Sequence, residues 1–439
     1  MVIEKLPENH QKQHSKSSFT QMSIILSIVT AFVGQSRIID LVISVAWLYF
    51  IARSFNCKDL YSLVLPLSLF ENLVLLPGGI SMFKLLSLAV VMRIVINRFI
   101  RWRRSEIILF LLLSVYGILH LRKYIGGMFS LFLYICSMAT MCESWHQLRD
   151  KELFEKTMFF FVCMGLSAGL YGLLNINSRI VIQNGITLNR FCGTSADPNV
   201  MGSKWVVCLI GVIFSSYIYK RNIKALLTIV IFVFILLTGS TTAIIACVVI
   251  ILIYVKSIKI SRRSFFLLLI ISLIVIVLII EFENILHLLS QHNIIGPNAQ
   301  RILIQIAAAK AGDISTFSSL RTEIWKGYVD YYFNSQGIIK QLIGGNVSNI
   351  YGIEKNFANM SWIAAAHNTI IDVLMCIGLI GLINISGLFC YRLKEYIFSF
   401  KAHRDNQMLM RITIKAVVMV YAFSISFFPS YCLMTLWLI

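Results

Sequence analysis

Long apolar runs separated by short polar interruptions make up most of the 439-residue chain. Many of these runs are roughly 17 to 22 residues long, the length that a helix needs to cross the hydrocarbon core of a bilayer. The alternation of apolar and polar residues that is typical of membrane strands is not evident in the sequence. We therefore predict an all-α, polytopic membrane protein with about 13 transmembrane helices. The predicted spans are residues 18–34, 38–54, 60–76, 81–97, 107–121, 126–142, 157–175, 200–219, 225–238, 242–255, 264–280, 368–391 and 412–428.

The predicted spans divide the chain into three parts. Residues 1–280 form a transmembrane bundle with an exterior loop at 176–199, residues 281–367 form one large loop with amphipathic helices, and residues 368–439 return to the membrane. Basic clusters in loops 98–104, 220–224 and 256–263 indicate cytoplasmic loops by the positive-inside rule. The N-terminus is then cytoplasmic, and both the 176–199 loop and the large loop are periplasmic. Two loops on one face can build one site.

The composition supports a membrane protein and limits the classes of partner that it can bind. Hydrophobic residues make up 58% of the chain and charged residues 13%, whereas soluble domains carry about a quarter charged residues. The net charge of +19 is spread over short loops between apolar runs, so it indicates contact with membrane lipids and no nucleic-acid partner. Most of the ten cysteines lie in apolar runs without the spacing of a metal site. We predict no disulfide, no metal and no cofactor.

The first candidate site lies in the 176–199 loop. The sequence Asp197-Pro198-Asn199 predicts the start of a helix, with Asp197 as its cap and Pro198 in its first turn. A helix N-terminus beside Arg190 is suited to a phosphate or diphosphate, so Asp197 and Asn199 are candidate substrate-binding residues. Lys204 is a further candidate because it lies within a span, although snorkelling towards the interface explains it equally well.

The second candidate site lies in the large loop. Helical spacing places Arg321, Trp325, Tyr328 and Tyr332 along one stripe. One interpretation is an amphipathic helix that lies on the membrane domain. The other is an arginine above the site, with Trp325 and Tyr328 available to bind sugar rings.

The third candidate site is at the start of the span that follows the large loop. His367 and Asn368 come directly before the apolar run, and Asp372 lies one helical turn further on. Histidine is the natural general base near neutral pH, whereas a lone histidine at a span end is often only interfacial. We favour a catalytic role for His367 and substrate binding by Asn368 and Asp372, because Arg190 and Arg321 are predicted on the same membrane face.

Together these motifs resemble the bacterial O-antigen polymerase and O-antigen ligase superfamily, which are integral membrane glycosyltransferases of the C-type architecture. The resemblance covers about residues 157–392 and depends on the order of several short motifs. Where the family often has an arginine after a Thr-Gly-Ser turn, this chain has Thr241. The matching motifs are Arg190-Phe191-Cys192-Gly193 with Asp197-Pro198-Asn199, Leu237-Thr238-Gly239-Ser240, Ser319-Leu320-Arg321 with Trp325, Leu342-Ile343-Gly344-Gly345, and His367-Asn368 with Gly378 to Gly381.

The resemblance implies transfer of a saccharide from undecaprenyl diphosphate at the periplasmic face of the bacterial inner membrane, without a metal. Arg190 and Arg321 would bind the diphosphate and stabilise the leaving group, and His367 would deprotonate the acceptor hydroxyl. We favour an O-antigen repeat-unit polymerase, for which a chain-length regulator protein is a further partner to test. The alternatives are an O-antigen ligase that transfers glycan to lipid A-core, and a lipid-linked oligosaccharide flippase or other transporter.

Overall fold

The structure is a computed structural model, and it is mostly helical. It describes residues 8–71, 74–76, 80–97, 102–118, 128–183, 186–218, 220–257, 281–291, 296–313, 321–344, 367–403, 405–425 and 434–436. The helices of the first part are α1 (Glu8–Thr30), α2 (Arg37–Ser54), α3 (Asp59–Ser62), α4 (Val64–Ser68), α5 (Met82–Asn97), α6 (Arg104–Tyr116), α7 (Met128–Gln147) and α8 (Lys151–Leu174). They are followed by α9 (Pro198–Phe214), α10 (Arg221–Leu237), α11 (Thr241–Ser257), α12 (Phe282–Ser290), α13 (Gly296–Lys310), α14 (Arg321–Asn334), α15 (Ile338–Ile343), α16 (Thr369–His403) and α17 (Asn406–Ala422).

Three of the long helices begin at polar caps that the sequence displays. The Ser36 hydroxyl accepts a hydrogen bond from the third residue of α2 at 3.2 Å. The carboxylates of Asp150 and Asp405 accept from backbone N–H groups in the first turns of α8 and α17, at 3.0 and 2.9 Å. Each cap satisfies a donor that the helix itself leaves unpaired. The predicted second span starts within one residue of α2, whereas α8 and α17 each begin six residues before the predicted spans 157–175 and 412–428, because their capped first turns are polar.

The helices expose many large apolar side chains. Exposed fractions reach 76% for Ile38 in α2, 62% for Ile229 in α10 and 63% for Leu252 in α11. Soluble proteins rarely expose so much contiguous apolar surface. Helices α8 and α16 are also long and apolar enough to cross a membrane. The exposed surface and these two helices support a membrane protein; the number of spans stays a prediction, and the predicted span 264–280 lies outside the described residues.

The predicted third span, residues 60–76, is wrong. The chain there forms the short helices α3 and α4 and then strand β1 (Val74–Leu76). Pro66 lacks the N–H that a continuous helix would need and its ring blocks the preceding turn. Both short helices pack against α8, and Leu63, Val64 and Leu65 are completely buried. The irregular backbone of this segment is tolerated because protein, and not lipid, surrounds it.

Two antiparallel hairpins also depart from the all-α prediction. β1 pairs with β2 (Ile80–Ser81), and β3 (Ser178–Gln183) pairs with β4 (Ile186–Phe191). The second hairpin lies in the 176–199 loop, where β-branched residues at 180–182 and 186–187 favour extended backbone. Its register sets Arg190 opposite Arg179 and Phe191 opposite Ser178. The 176–199 loop therefore contains a β-hairpin that ends shortly before the start of α9.

Helices α8 and α9 form the centre of the bundle. α8 packs against α1, α3, α4 and α9, and α9 packs against α10, α11 and α17. The Phe160 ring of α8 stacks on Trp47 with centroids 5.8 Å apart, and Trp205 of α9 stacks on Phe191 at 5.5 Å. This second contact fixes the end of β4 to α9. The segment between the two central helices is thereby held against the bundle.

The helices of the large loop dock on α16. Ile324, Tyr328 and Tyr332 on one face of α14 form an apolar cluster with Ile371 and Met375 of α16. The next helix, α15, ends at Gly344, whose backbone lies directly against a break in α16 at Gly378. The loop therefore has two attachments to the first segment of α16.

Candidate functional site

The start of α9 is built as the sequence predicts. The Asp197 carboxylate accepts hydrogen bonds from the backbone N–H groups of Asn199 at 2.7 Å and Val200 at 3.4 Å. Pro198 occupies the first helical position, where no N–H is needed. Asp197 therefore acts as the cap of α9, and its negative charge lies at the end of β4 and the start of α9.

Arg190 connects three parts of the chain. Its Nε donates to the Thr238 carbonyl and its Nη2 to the Asn199 side-chain oxygen, both at 2.8 Å. Only 6% of Arg190 is exposed. The turn between α10 and α11 can approach because Gly202 faces it, where a Cβ would already lie 3.3 Å from the Thr238 hydroxyl. The guanidinium is thus held in one orientation by the predicted Thr-Gly-Ser turn and by α9.

Two arginines from the large loop join this group. α13 packs against β4, and its Arg301 is 6% exposed. Burial lowers the pKa of Arg190 to about 10, and the charges of Arg301 and Arg321 act in the same direction while Asp197 opposes them. Burial also lowers the pKa of Arg301, aided by the charge of Arg321, and that of Arg321, opposed by Asp197. Arg190, Arg301, Arg321 and Asp197 therefore form one electrostatic group, which we call the arginine cluster.

Sequence reasoning missed Arg301. It lies among apolar residues in the stretch Arg301-Ile302-Leu303-Ile304 on α13. A single charge within an apolar stretch is a signal of a buried or functional position. The sequence does not distinguish it from the exposed basic residues of the same loop, because its burial arises from packing against a distant hairpin.

His367, Asn368 and Asp372 mark the start of α16. Asn368 caps the helix, since its side-chain oxygen accepts from the N–H groups of Ile370 at 3.0 Å and Ile371 at 3.3 Å. His367 is half-buried and has a φ of 47°, a left-handed conformation that side-chain-bearing residues seldom adopt. Asp372 is completely buried one turn further on. Strained backbone of this kind is common at functional sites.

The structure places α14, which begins at Arg321, against the segment of α16 that follows His367. At the far end of this contact, the Gln336 amide nitrogen lies 3.7 Å from the Met375 sulfur. Arg321 of the arginine cluster therefore begins a helix that packs against the helix that follows His367.

Three further predicted site residues occupy packing positions. Lys204 is 1% exposed and its Nζ lies 3.6 Å from a carboxylate oxygen of Glu71, so it forms an ion pair inside the bundle. Tyr328 is also 1% exposed, within the contact between α14 and α16. Trp325 is half-buried against the same cluster. Lys204 and Tyr328 thus contact protein, and Trp325 retains part of its surface.

Residues 226–386 match the protein family described as O-antigen ligase. The match covers a little more than a third of the chain. The match confirms the resemblance to the O-antigen polymerase and ligase superfamily that the motifs predict. The search of curated proteins gave no match.

The matched region, residues 226–386, contains a large part of the candidate site. Arg301, Arg321, His367 and Asp372 lie within it, and Arg190 precedes it. The family consists of membrane glycosyltransferase-like enzymes, either ligases or polymerases. Within the described residues, no group of three or more His, Cys, Asp and Glu side chains has the arrangement of a metal site.

Proposed function

We propose that the protein is a membrane glycosyltransferase that takes its glycan from undecaprenyl diphosphate and polymerises O-antigen repeat units. One observation carries the proposal: Arg190 is buried close to the N-terminus of α9, and the charges of Arg301 and the half-buried Arg321 act on it. Guanidinium groups that are shielded from water are suited to a phosphate-containing ligand, because they form charge-assisted and often bidentate hydrogen bonds with phosphate oxygens.

The proposed reaction places positive charge where negative charge develops. The bond between the anomeric carbon of the donor sugar and the diphosphate oxygen breaks, and the lipid diphosphate leaves with the bonding electrons. Arg190 and Arg321 would stabilise that oxygen in a site with little water. Removal of one such donor from other enzymes costs about 3 to 4 kcal/mol, or roughly 10²–10³ in rate.

His367 would complete the transfer. The acceptor hydroxyl attacks the anomeric carbon, a new glycosidic bond forms, and the hydroxyl proton moves to the imidazole. The cap at Asn368 and the left-handed backbone of His367 support this role, because they fix the backbone of His367 directly before α16.

The proposed location is the inner membrane, with the N-terminus in the cytoplasm and the arginine cluster on the periplasmic side. The exposed apolar surfaces of α2, α10 and α11 support contact with lipid tails. The donor tail would lie among these helices while its diphosphate reaches the arginine cluster. Such a donor needs no nucleotide at this face.

A ligase is the second candidate, because the matched family is described as O-antigen ligase. A ligase and a polymerase would use the same donor and the same leaving group. They differ in the acceptor, which is lipid A-core for the ligase and another lipid-linked repeat unit for the polymerase.

The test uses the full chain purified in nanodiscs, with lipid-linked repeat units as substrate. We expect a ladder of polymers from the wild type, and a loss of at least about a hundredfold for His367→Ala and Arg321→Ala. His287→Ala and Lys326→Ala are matched controls, because both side chains are exposed on helices of the same loop. Full polymerisation by both site variants would refute the catalytic assignment. Glycan transfer to lipid A-core without polymer would establish the ligase instead.

A further inference from the structure

Arg301 lies in an unusual environment for an arginine. It is 94% buried, with 6% exposure, and its Nε donor has no hydrogen-bond partner among the described residues. A buried charge normally has a counter-charge and satisfied hydrogen bonds, because removal from water is costly. Arg301 instead faces further positive charge from Arg321 and Arg190. An arginine so placed is suited to an anion that enters from outside the chain.

The charges of the arginine cluster indicate what kind of anion it accepts. Three guanidinium groups contribute three positive charges, and the Asp197 carboxylate that acts on Arg190 and Arg321 contributes one negative charge. The cluster therefore carries a net charge of two. A diphosphate diester has two negative charges near neutral pH, and a phosphate diester has one. The two negative charges of a diphosphate diester therefore balance the net charge of +2 on the arginine cluster.

The three arginines also come from three different segments. Arg190 ends β4, Arg301 is on α13 and Arg321 begins α14. Arg190 uses its Nε and Nη2 for the hydrogen bonds to Thr238 and Asn199, so within the described part of the chain its Nη1 can serve a ligand. Each phosphate of a diphosphate can thus meet a guanidinium from a separate element, and the third can bridge the two phosphates.

We propose that Arg301 is a third ligand of the donor's diphosphate and the residue that makes the site prefer a diphosphate diester to a monophosphate diester. The identity of the donor rests on the proposed function, but the anion site does not. Binding of the dianion relieves repulsion among the arginines and strengthens the packing of α13 against β4. The same anion therefore stabilises the docked loop.

The test compares two synthetic probes, a ten-carbon prenyl diphosphate N-acetylglucosamine and its monophosphate counterpart. Binding to the full chain in nanodiscs is measured by the shift in melting temperature and by titration calorimetry. We expect the wild type to prefer the diphosphate probe. Arg301→Gln should weaken that probe by about ten- to a hundredfold, the effect of one charge-assisted hydrogen bond, and should weaken the monophosphate probe much less.

Two further variants make the result specific. Lys310→Gln removes an exposed cation from the same helix, whose surface pair with Glu283 contributes little, and should leave both affinities unchanged. Arg301→Lys keeps the charge but loses the forked geometry, so we expect intermediate affinity; it also gives the answer if Arg301→Gln fails to fold. Without probe, Arg301→Gln should melt no lower than the wild type, because it removes an uncompensated buried charge.

The outcomes separate this inference from the proposed reaction. Unchanged diphosphate affinity in Arg301→Gln, or an equal loss for both probes, would overturn the role of Arg301. If binding depends on Arg301 but the wild type transfers no glycan to any acceptor, the anion site stands and glycosyl transfer fails. If glycan transfer proceeds and Arg301→Gln binds normally, the reaction stands and the third ligand is wrong.

Discussion

The contact between Gly344 and Gly378 is expected to be among the least tolerant points of the fold. Gly378 interrupts α16 with φ 69° and ψ −172°, a conformation that is almost confined to glycine. A Cβ added there would collide with backbone atoms of Leu342 and Gly344. Backbone cannot rotate away as a flexible side chain can. Replacement by alanine therefore requires α15 to move off α16.

The magnitude follows from two separate costs. The backbone conformation of Gly378 costs an alanine about 1 to 3 kcal/mol. Overpacking against neighbouring atoms costs about 1 to 3 kcal/mol more. We therefore expect Gly378→Ala to destabilise the folded state by about 2 to 6 kcal/mol, concentrated in the attachment of α15.

Gly387→Ala is the matched control, because it lies on the same helix and a Cβ there meets nothing within 4 Å. Alanine at such a helical position should be neutral or stabilising by about 0.5 to 1 kcal/mol. The assay is melting temperature in nanodiscs together with hydrogen exchange of residues 338–344. Gly378→Ala should melt lower and exchange faster there. Equal behaviour of the two variants would refute the claim that this contact fixes α15.

Two shorter predictions concern polar groups near the site. Glu71→Gln should destabilise the bundle by about 3 to 5 kcal/mol, because it leaves the buried Lys204 charge uncompensated; the double variant with Lys204→Met should recover much of the melting temperature, and no recovery would contradict the ion pair. Asn199→Ala removes an acceptor from Arg190 and should slow glycan transfer about tenfold. Its control, the exposed Asn189→Ala, should have wild-type rates, and equal rates for both would contradict the orienting role.

Much of the helical fold could be predicted because its signals are local. The predicted span 38–54 coincides with α2 within a residue, since Ser36 and the polar residues after 54 bound the apolar run. The prediction of a span at 60–76 failed because hydropathy counts apolar residues and does not detect the helix break that Pro66 causes within such a run. The hairpin in the 176–199 loop was missed because it is short and its polar residues are typical of a turn.

The candidate site could be predicted only where motifs exist for it. Arg190 and Arg321 are predicted as site residues from the ordered motifs that contain them, and the cap at Asp197, which the structure confirms, from its own turn chemistry. Arg301 has no motif, and its burial depends on the packing of α13 against β4. Lys204 had two interpretations from the sequence, and neither of them was its pairing with Glu71, which requires a partner from a distant segment.

The two glycine positions also explain how the site is assembled. The bundle contributes Arg190 and the start of α16, whereas the large loop contributes Arg301 and Arg321. The loop is fixed to the bundle by the apolar face of α14 and by the joint between Gly344 and Gly378. Loss of that joint removes one of the attachments that hold this part of the loop, including α14 and its first residue Arg321, against α16. Gly378→Ala should therefore reduce diphosphate binding as well as stability, even though Gly378 carries no side chain that could contact a ligand.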